Sequence, residues 1–121
     1  MNIAIVGSRE RDLPEDKAAV SDLVNSLDMN DTVVSGGCRG IDSWAVDFAK
    51  ARGMKTLEFE PIMLYMYPSY PELVKAYYAR NRKVVENSDV IYAFPSAKGL
   101  KGGTRNTVEY AKKCGKKVIF K

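Results

Sequence analysis

The chain has 121 residues, of which 45% are hydrophobic and 28% are charged, with 9 glycines and 5 prolines. This length is typical of one domain, expected over residues 1–121, and the composition excludes a disordered or fibrous chain. The formal charge of +4 is modest, so it only slightly favours an anionic partner.

In the first half of the chain, apolar runs that end in glycine alternate with amphipathic segments. Residues 3–6 predict a strand buried on both faces and ended by Gly7. A helix is predicted from Pro14, because apolar residues recur at helical spacing: Val20, Leu23, Val24 and Leu27. Residues 32–34 predict a second strand, followed by a helix that ends before Gly53 and has the stripe Ile41, Trp44, Ala45, Phe48 and Ala49.

The second half continues the alternation. Residues 56–59 predict a third strand closed by Pro61, and the aromatic segment Met63–Tyr70 has no clean period, which indicates a loop. The remaining predicted elements are a helix from Pro71 to about Asn87, a strand over 89–94, a loop over 95–103, a helix over 104–114 and a strand over 117–120.

This βαβαβαβαβ order predicts a Rossmann-like three-layer α/β/α sandwich with a five-stranded parallel sheet in the order 3-2-1-4-5. Ligands of such sheets bind beyond the carboxyl ends of the strands, where the strand order reverses. The loops after strands one, two and four are therefore the expected ligand-binding segments.

Each of these loops carries glycine next to groups that can hold a phosphate. The loop after strand two, Ser35-Gly36-Gly37-Cys38-Arg39-Gly40-Ile41-Asp42, offers backbone N–H groups at a helix start. Gly102-Gly103-Thr104 opens the last helix, with Thr104 as an N-cap or a phosphate-contacting hydroxyl, and Gly7-Ser8-Arg9 follows strand one. Glycine in one such turn can be purely structural, but three converging loops favour a phosphate site. Neither GxxxxGK[ST] nor GxGxxG is present, which argues against a P-loop ATPase and a standard NAD dehydrogenase.

The chain contains no histidine and only two distant cysteines, Cys38 and Cys114. Ser-His-Asp and Cys-His catalysis are thereby excluded, and we expect no metal, no cofactor and no disulfide framework. The N-terminal residues resemble a strand rather than a signal peptide, and no apolar stretch is long enough to span a bilayer. We therefore expect a cytosolic protein without a membrane partner.

Together, the segments at 7–9, 34–42, 80–83, 88–91 and 102–104 resemble the SLOG superfamily, which groups the Smf/DprA and LOG proteins, and the small size is similar to its YspA-type members. The resemblance implies a Rossmann-like fold and a nucleotide or related ligand at these loops. The second loop is similar to the DNA-processing DprA proteins, whose pattern continues to Ala-His where this chain has Ala45-Val46. Those proteins are longer, with extra domains.

The stretch from Arg80 to Thr107 is similar to LOG phosphoribohydrolases, which cleave the N-glycosidic bond of nucleoside monophosphates with an arginine and a glutamate. By this resemblance Arg82 is the arginine, and Asn81 stands where the family has glutamate. Thr107 stands at the position of the catalytic glutamate, and Glu109 follows two residues later, about 200° away around a helix. Arg82 and Glu109 are thus the candidate catalytic residues.

Other polar residues have two interpretations each. Arg80 and Asn81 form a polar edge on an apolar helix and contact either the ligand or a neighbouring loop. Asp42 holds a ribose hydroxyl or favours the start of a helix, whereas Trp44 fits the core or a dimer contact better than a base-stacking role. The lysines near the C-terminus fit structural roles at a helix end and a sheet edge: Lys112, Lys113, Lys116, Lys117 and Lys121.

Three functions remain open at this point. The first is a sensor or carrier that binds a nucleotide or nucleotide-derived molecule, and the second is an N-glycosidic hydrolase of nucleoside 5′-monophosphates. The third, a DprA-type nucleic-acid-binding protein, is disfavoured by the modest charge and the lack of an added domain. We also expect a homodimer, from the resemblance and from the aromatic residues between positions 63 and 78.

Overall fold

The computed structural model describes residues 1–37, 40–59 and 69–121. Within these residues the chain forms five strands and four helices in strict alternation. The strands are β1 (Asn2–Gly7), β2 (Thr32–Ser35), β3 (Lys55–Glu58), β4 (Val90–Phe94) and β5 (Lys117–Phe120). The helices are α1 (Pro14–Ser26), α2 (Ile41–Arg52), α3 (Tyr70–Glu86) and α4 (Gly102–Lys113).

The strands form one sheet in the order β3-β2-β1-β4-β5, and every pairing is parallel. β1 is central: Asn2 pairs with Thr32 on one side, and Gly7 pairs with Phe94 at the end of β4 on the other. The chain moves outward from β1 in one direction through β2 and β3, and then in the other through β4 and β5. The predicted Rossmann-like fold and strand order are confirmed, and the order reverses between β1 and β4.

Alternate residues of the central strand feed two separate cores. Ile3 and Ile5 point to a layer formed by α1 and α2, whereas Ala4 and Val6 point to a layer formed by α3 and α4. Each buried isoleucine contributes about 1.5–3 kcal/mol relative to an exposed one. This two-sided burial explains why β1 is a continuous apolar run rather than an alternating one.

The helix ends follow local sequence signals. The hydroxyl of Ser69 accepts a hydrogen bond from the N–H of Glu72 at the start of α3, and Gly53, at φ 83°, ends α2. The prediction for α4 was wrong by two residues at its start, because the helix begins at Gly102 with Lys101 as its N-cap. Thr104 is therefore a first-turn residue and not the cap. Residues 63–68 of the predicted loop Met63–Tyr70, and the strand-closing Pro61, lie outside the described residues, whereas Tyr70 is already the first residue of α3.

In the described part of the chain, no helix combines the length and the apolar character needed to cross a membrane.

A tyrosine links the two helices of the second layer. The hydroxyl of Tyr110 in α4 donates a 2.9 Å hydrogen bond to the Glu86 carboxylate in α3. This bond, together with the contact to Cys114, raises the pKa of Tyr110 to about 12.

We predict that one tyrosine of the folded protein ionises near pH 12 and that this step disappears in Tyr110→Phe. A free tyrosine ionises near pH 10, so the stabilisation from the Tyr110 bond is present below that pH and is lost as the pH rises through about 12. Ultraviolet absorbance of tyrosinate measures the titration. Tyr92→Phe is the matched control, and a step near pH 12 that survives Tyr110→Phe would contradict the assignment.

Candidate functional site

A cavity of about 660 Å³ lies at the carboxyl ends of β1 and β4, where the strand order reverses. We call it the switch-point cavity. Its walls are the loop after β1, one face of α3 and the first turn of α4. Its volume lies within the range of pockets that hold small-molecule ligands, and its position is the one at which open parallel sheets bind them.

The first wall is a tight turn after β1. The N–H of Ser8 donates to the carbonyl of Phe94 at 2.9 Å, which holds the turn against the end of β4. The Ser8 hydroxyl accepts from the N–H of Glu10, and the N–H of Arg11 donates to the Ser8 carbonyl. This closed turn leaves the side chains of Arg9 and Glu10 exposed at the cavity, which both of them line.

The second wall is the start of α4. Gly102, Gly103 and Thr104 line the cavity, and no side chain of the described residues caps this helix. Gly102 has φ 62°, a left-handed conformation that L side chains rarely adopt. Because the first N–H groups of a helix have no intrahelical partner and carry the positive end of its dipole, this turn is suited to an anion.

Helix α3 positions the start of α4. The Asn81 amide donates to the side-chain oxygen of Asn106 at 3.1 Å and more weakly to the Gly103 carbonyl at 3.5 Å. The hydroxyl of Thr107 also donates to the Gly103 carbonyl, at 3.0 Å. Asn81 and Thr107 are both buried and both line the cavity. These contacts fix the turn before any ligand arrives.

The third wall is an apolar face of α3. The lining residues recur three and four positions apart, so they share one side of the helix: Tyr70, Leu73, Val74, Tyr77 and Tyr78. Tyr70 is 78% exposed, although a tyrosine side chain is usually at least partly buried. The guanidinium of Arg80 lies 5.2 Å from the ring centre of Tyr77. Arg80 therefore marks the place on α3 where the apolar face gives way to polar side chains. The cavity thus has a polar end and an apolar wall.

The Glu10 carboxylate connects the loop after β1 to the segment between β4 and α4 through two contacts. One Glu10 oxygen is 2.9 Å from the Lys101 ammonium, and the other accepts a 2.5 Å hydrogen bond from the Ser96 hydroxyl. The Ser96 hydrogen bond and then Lys101 lower the pKa of Glu10 below its usual value. Glu10 is therefore ionised at neutral pH.

The glycines of the loop after β2 predict a phosphate site, but its described glycines do not line the switch-point cavity. The buried Ser35 hydroxyl donates to the Asp42 carbonyl at 3.3 Å and accepts from the N–H of Gly37 at 3.1 Å, so it ties the strand end to α2. Gly36 makes room for Arg80, since a Cβ at position 36 would lie 3.0 Å from its Nε. Of the described residues in this loop, only Asp42, buried in the first turn of α2, lines the switch-point cavity.

Ser35 and Gly37 instead line a separate cavity of about 400 Å³ beside β3, where Lys50 and Glu58 form a 3.0 Å ion pair. Gly40, at φ 83°, is the residue before α2. The other two predicted ligand contacts, Cys38 and Arg39, lie outside the described residues. A phosphate contact by this loop stays a prediction.

The two candidate catalytic residues do not meet in the switch-point cavity. Arg82 is exposed on α3, and Glu109 is exposed on α4 in a 2.8 Å ion pair with Arg105 one helical turn away. Neither lines the cavity, and their assignment to hydrolysis stays a prediction. Across the described part of the chain, no three metal-ligating side chains cluster as an ion site.

Sequence reasoning missed Glu10, Lys101 and the role of the apolar face of α3 as a wall of the cavity. Glu10 follows Gly7 by only three residues, and Lys101 directly precedes the glycine pair at α4, so both lie at the predicted sheet edge. The spacing of Leu73, Val74 and Tyr77 also marks one helix face. What the spacing does not show is that this face borders a cavity rather than the core.

The parallel sheet and the cavity at its switch point define the chain as a Rossmann-like α/β protein with a candidate ligand site. The family model for DNA recombination-mediator protein A matches residues 1–72, and the chain belongs to that family. The predicted membership of the SLOG superfamily is thereby confirmed. The matched residues run from β1 through β3 to the start of α3.

Among solved structures, the chain is similar to the C-terminal domain of a hydrogenase from Pyrococcus furiosus. The alignment covers 98% of this chain and 89% of that chain, with a TM-score of 0.55 and 13% identity. At this identity the likeness shows the fold alone. No curated protein matches the chain significantly.

Proposed function

We propose that the switch-point cavity binds a nucleoside phosphate and that the protein is a sensor or carrier of this ligand. The observation that carries the proposal is one cavity joining the start of α4 to an apolar face of α3. A nucleotide needs the same two features, a site for the phosphate and a surface for the base. The phosphate is assigned to Gly102, Gly103 and Thr104, and the base to Leu73, Val74 and Tyr77.

The charges around the cavity support an anionic ligand with hydroxyl groups. Its described basic side chains are Arg9, Arg80 and Lys101, and its described carboxylates are Glu10 and Asp42. The basic groups complement a phosphate, and a carboxylate can accept hydrogen bonds from a ribose. We assign the ribose to Asp42, because this residue belongs to α2 and borders the cavity from the side of β2.

The test is a thermal-shift series with AMP, ADP, ATP and inorganic phosphate. A ligand at one hundred times its Kd adds about 2.7 kcal/mol of stability, which corresponds to roughly 8–12 °C in Tm for a domain of this size. We expect a nucleotide to raise the Tm more than phosphate alone, because only the nucleotide contacts α3. No shift with any nucleotide at millimolar concentration would overturn the proposal.

A second candidate function is nucleic-acid binding, which two observations favour. The chain belongs to the family of DNA recombination-mediator protein A, and its surface charge is uneven. Without the buried Arg80, helices α3 and α4, which pack on the same face of the sheet, together carry six basic and three acidic side chains. Without the buried Asp16 and Asp42, helices α1 and α2 on the other face carry three basic and three acidic ones.

If DNA binds this face, the double variant Lys83→Glu and Lys113→Glu should abolish a gel shift with a single-stranded oligonucleotide at low salt. Both lysines are exposed and lie outside the switch-point cavity, so the AMP thermal shift should stay unchanged. The double variant Lys17→Glu and Lys50→Glu, with the same change in net charge on the α1 and α2 face, is the matched control. The absence of any wild-type gel shift at low salt would remove this function, since phosphate contacts strengthen as salt falls.

A further inference from the structure

Glu10 is a carboxylate placed beside a site that we assign to phosphate. It contacts Lys101, the N-cap of α4, at 2.9 Å, and Ser96 holds its second oxygen. Its side chain is 49% exposed, so it occupies the rim and not the interior of the cavity. A phosphate bound at the first turn of α4 would therefore lie close to a fixed negative charge.

The position of Glu10 matters for the number of phosphates, because a phosphate chain extends in one direction from the nucleoside. With the base on α3 and the first phosphate at Gly103, additional phosphates would extend away from the base. Lys101 directly precedes the two glycines and lines the same cavity as Glu10, so we place these phosphates at the ion pair between Glu10 and Lys101. The described lining has three basic and two acidic side chains, which suits a ligand of low charge.

Building on the proposed nucleotide binding, we infer that Glu10 limits the ligand to one phosphate, because it holds Lys101 and adds a negative charge where a second phosphate would lie. Its pairing with Ser96 fixes the carboxylate in that place. Lys101 is then a counter-ion of Glu10 more than a contact of the ligand. The site selects nucleoside monophosphates over di- and triphosphates by charge.

The size of the effect follows from Coulomb's law. Two unit charges roughly 6 Å apart in water repel enough to weaken binding about threefold. ATP carries about two more negative charges than AMP, so the expected preference from Glu10 is about tenfold. It is larger wherever the bound ligand excludes water from the pair.

The experiment compares the Kd values of AMP, ADP and ATP by calorimetry for the wild type, Glu10→Gln and Asp12→Asn. Asp12 is exposed in the same loop and does not line the cavity, so its variant removes an equal charge nearby. We expect the wild type to prefer AMP, Glu10→Gln to reduce the ATP-to-AMP ratio of Kd values about tenfold, and Asp12→Asn to leave it unchanged.

A second variant gives a change of opposite sign. Lys101→Gln removes the counter-ion of Glu10, so the ATP-to-AMP ratio of Kd values should rise. Nucleotide binding with the same ratio in Glu10→Gln as in the wild type would overturn the role of Glu10 and leave the proposed function standing. Failure of all three nucleotides to bind any of these proteins would overturn both.

Discussion

Replacing Gly103 by proline is expected to weaken AMP binding about 10- to 100-fold while the protein stays folded. Gly103 is the second residue of α4, has a negative φ and lines the switch-point cavity. Proline is tolerated in the first turn of a helix but has no N–H group. A hydrogen bond to a charged group contributes about 1.5–3 kcal/mol, which accounts for a loss of this size.

Gly103→Ala is the matched control because it keeps the N–H group. Its added Cβ would meet only the Asn81 amide nitrogen, at an ordinary distance of 3.9 Å. AMP affinity should therefore stay within a few-fold of the wild type, and circular dichroism should show α4 intact in both variants. Equal affinities of the proline and alanine variants would show that the N–H of residue 103 does not bind the ligand.

The variant Gly7→Ala is expected to lose about 2–3 kcal/mol of stability, or more. Gly7 ends β1 directly beneath the start of α2, where a Cβ would lie 2.5 Å from Cγ1 and 2.8 Å from Cβ of Ile41. Ile41 is fully buried, so its side chain has no free space to enter. Overpacking of this kind costs about 1–3 kcal/mol in most cores, and the crowding at Cβ forces α2 itself to move.

Urea denaturation of the single variants Gly7→Ala and Ile41→Ala and of the double variant measures this contact. Removing Cγ1 and Cγ2 of Ile41 relieves two of the three close contacts, so the double variant should be more stable than the sum of the single losses predicts. Additive losses would mean that the added methyl group is accommodated elsewhere. Because α2 carries Asp42, Gly7→Ala should also weaken nucleotide binding.

The fold could be predicted because each element carries a strong local signal. Continuous apolar runs such as Ile3–Val6 favour strands that are buried on both faces, and their alternation with amphipathic helices favours a parallel sheet covered by those helices. The predicted start of a helix was wrong where its capping residues are unusual. Helix α4 begins with two glycines after a lysine N-cap, so the threonine that sequence rules favour as the cap lies inside the first turn.

The candidate site could be predicted only in part. The loops after β1 and β4 do meet at one cavity. Gly36 and Gly37 in the loop after β2, although predicted to contact the ligand, do not line this cavity. Sequence identifies helix starts that can bind an anion, yet it does not show which of them face open space. That depends on how α3 packs: Arg80 lies against Gly36, whereas Asn81 lies against the start of α4.

The central claim, that a nucleoside phosphate binds between α4 and α3, is tested most directly by titrating the isotope-labelled protein with AMP and following backbone amide chemical shifts. We expect the largest shifts at Gly103 and Thr104, smaller ones at Ser8 and Tyr77, and none at Gly115, which lies beyond the far end of α4. Saturating AMP that leaves Gly103 and Thr104 unshifted, or shifts only the loop around Ser35 and Gly37, would contradict it.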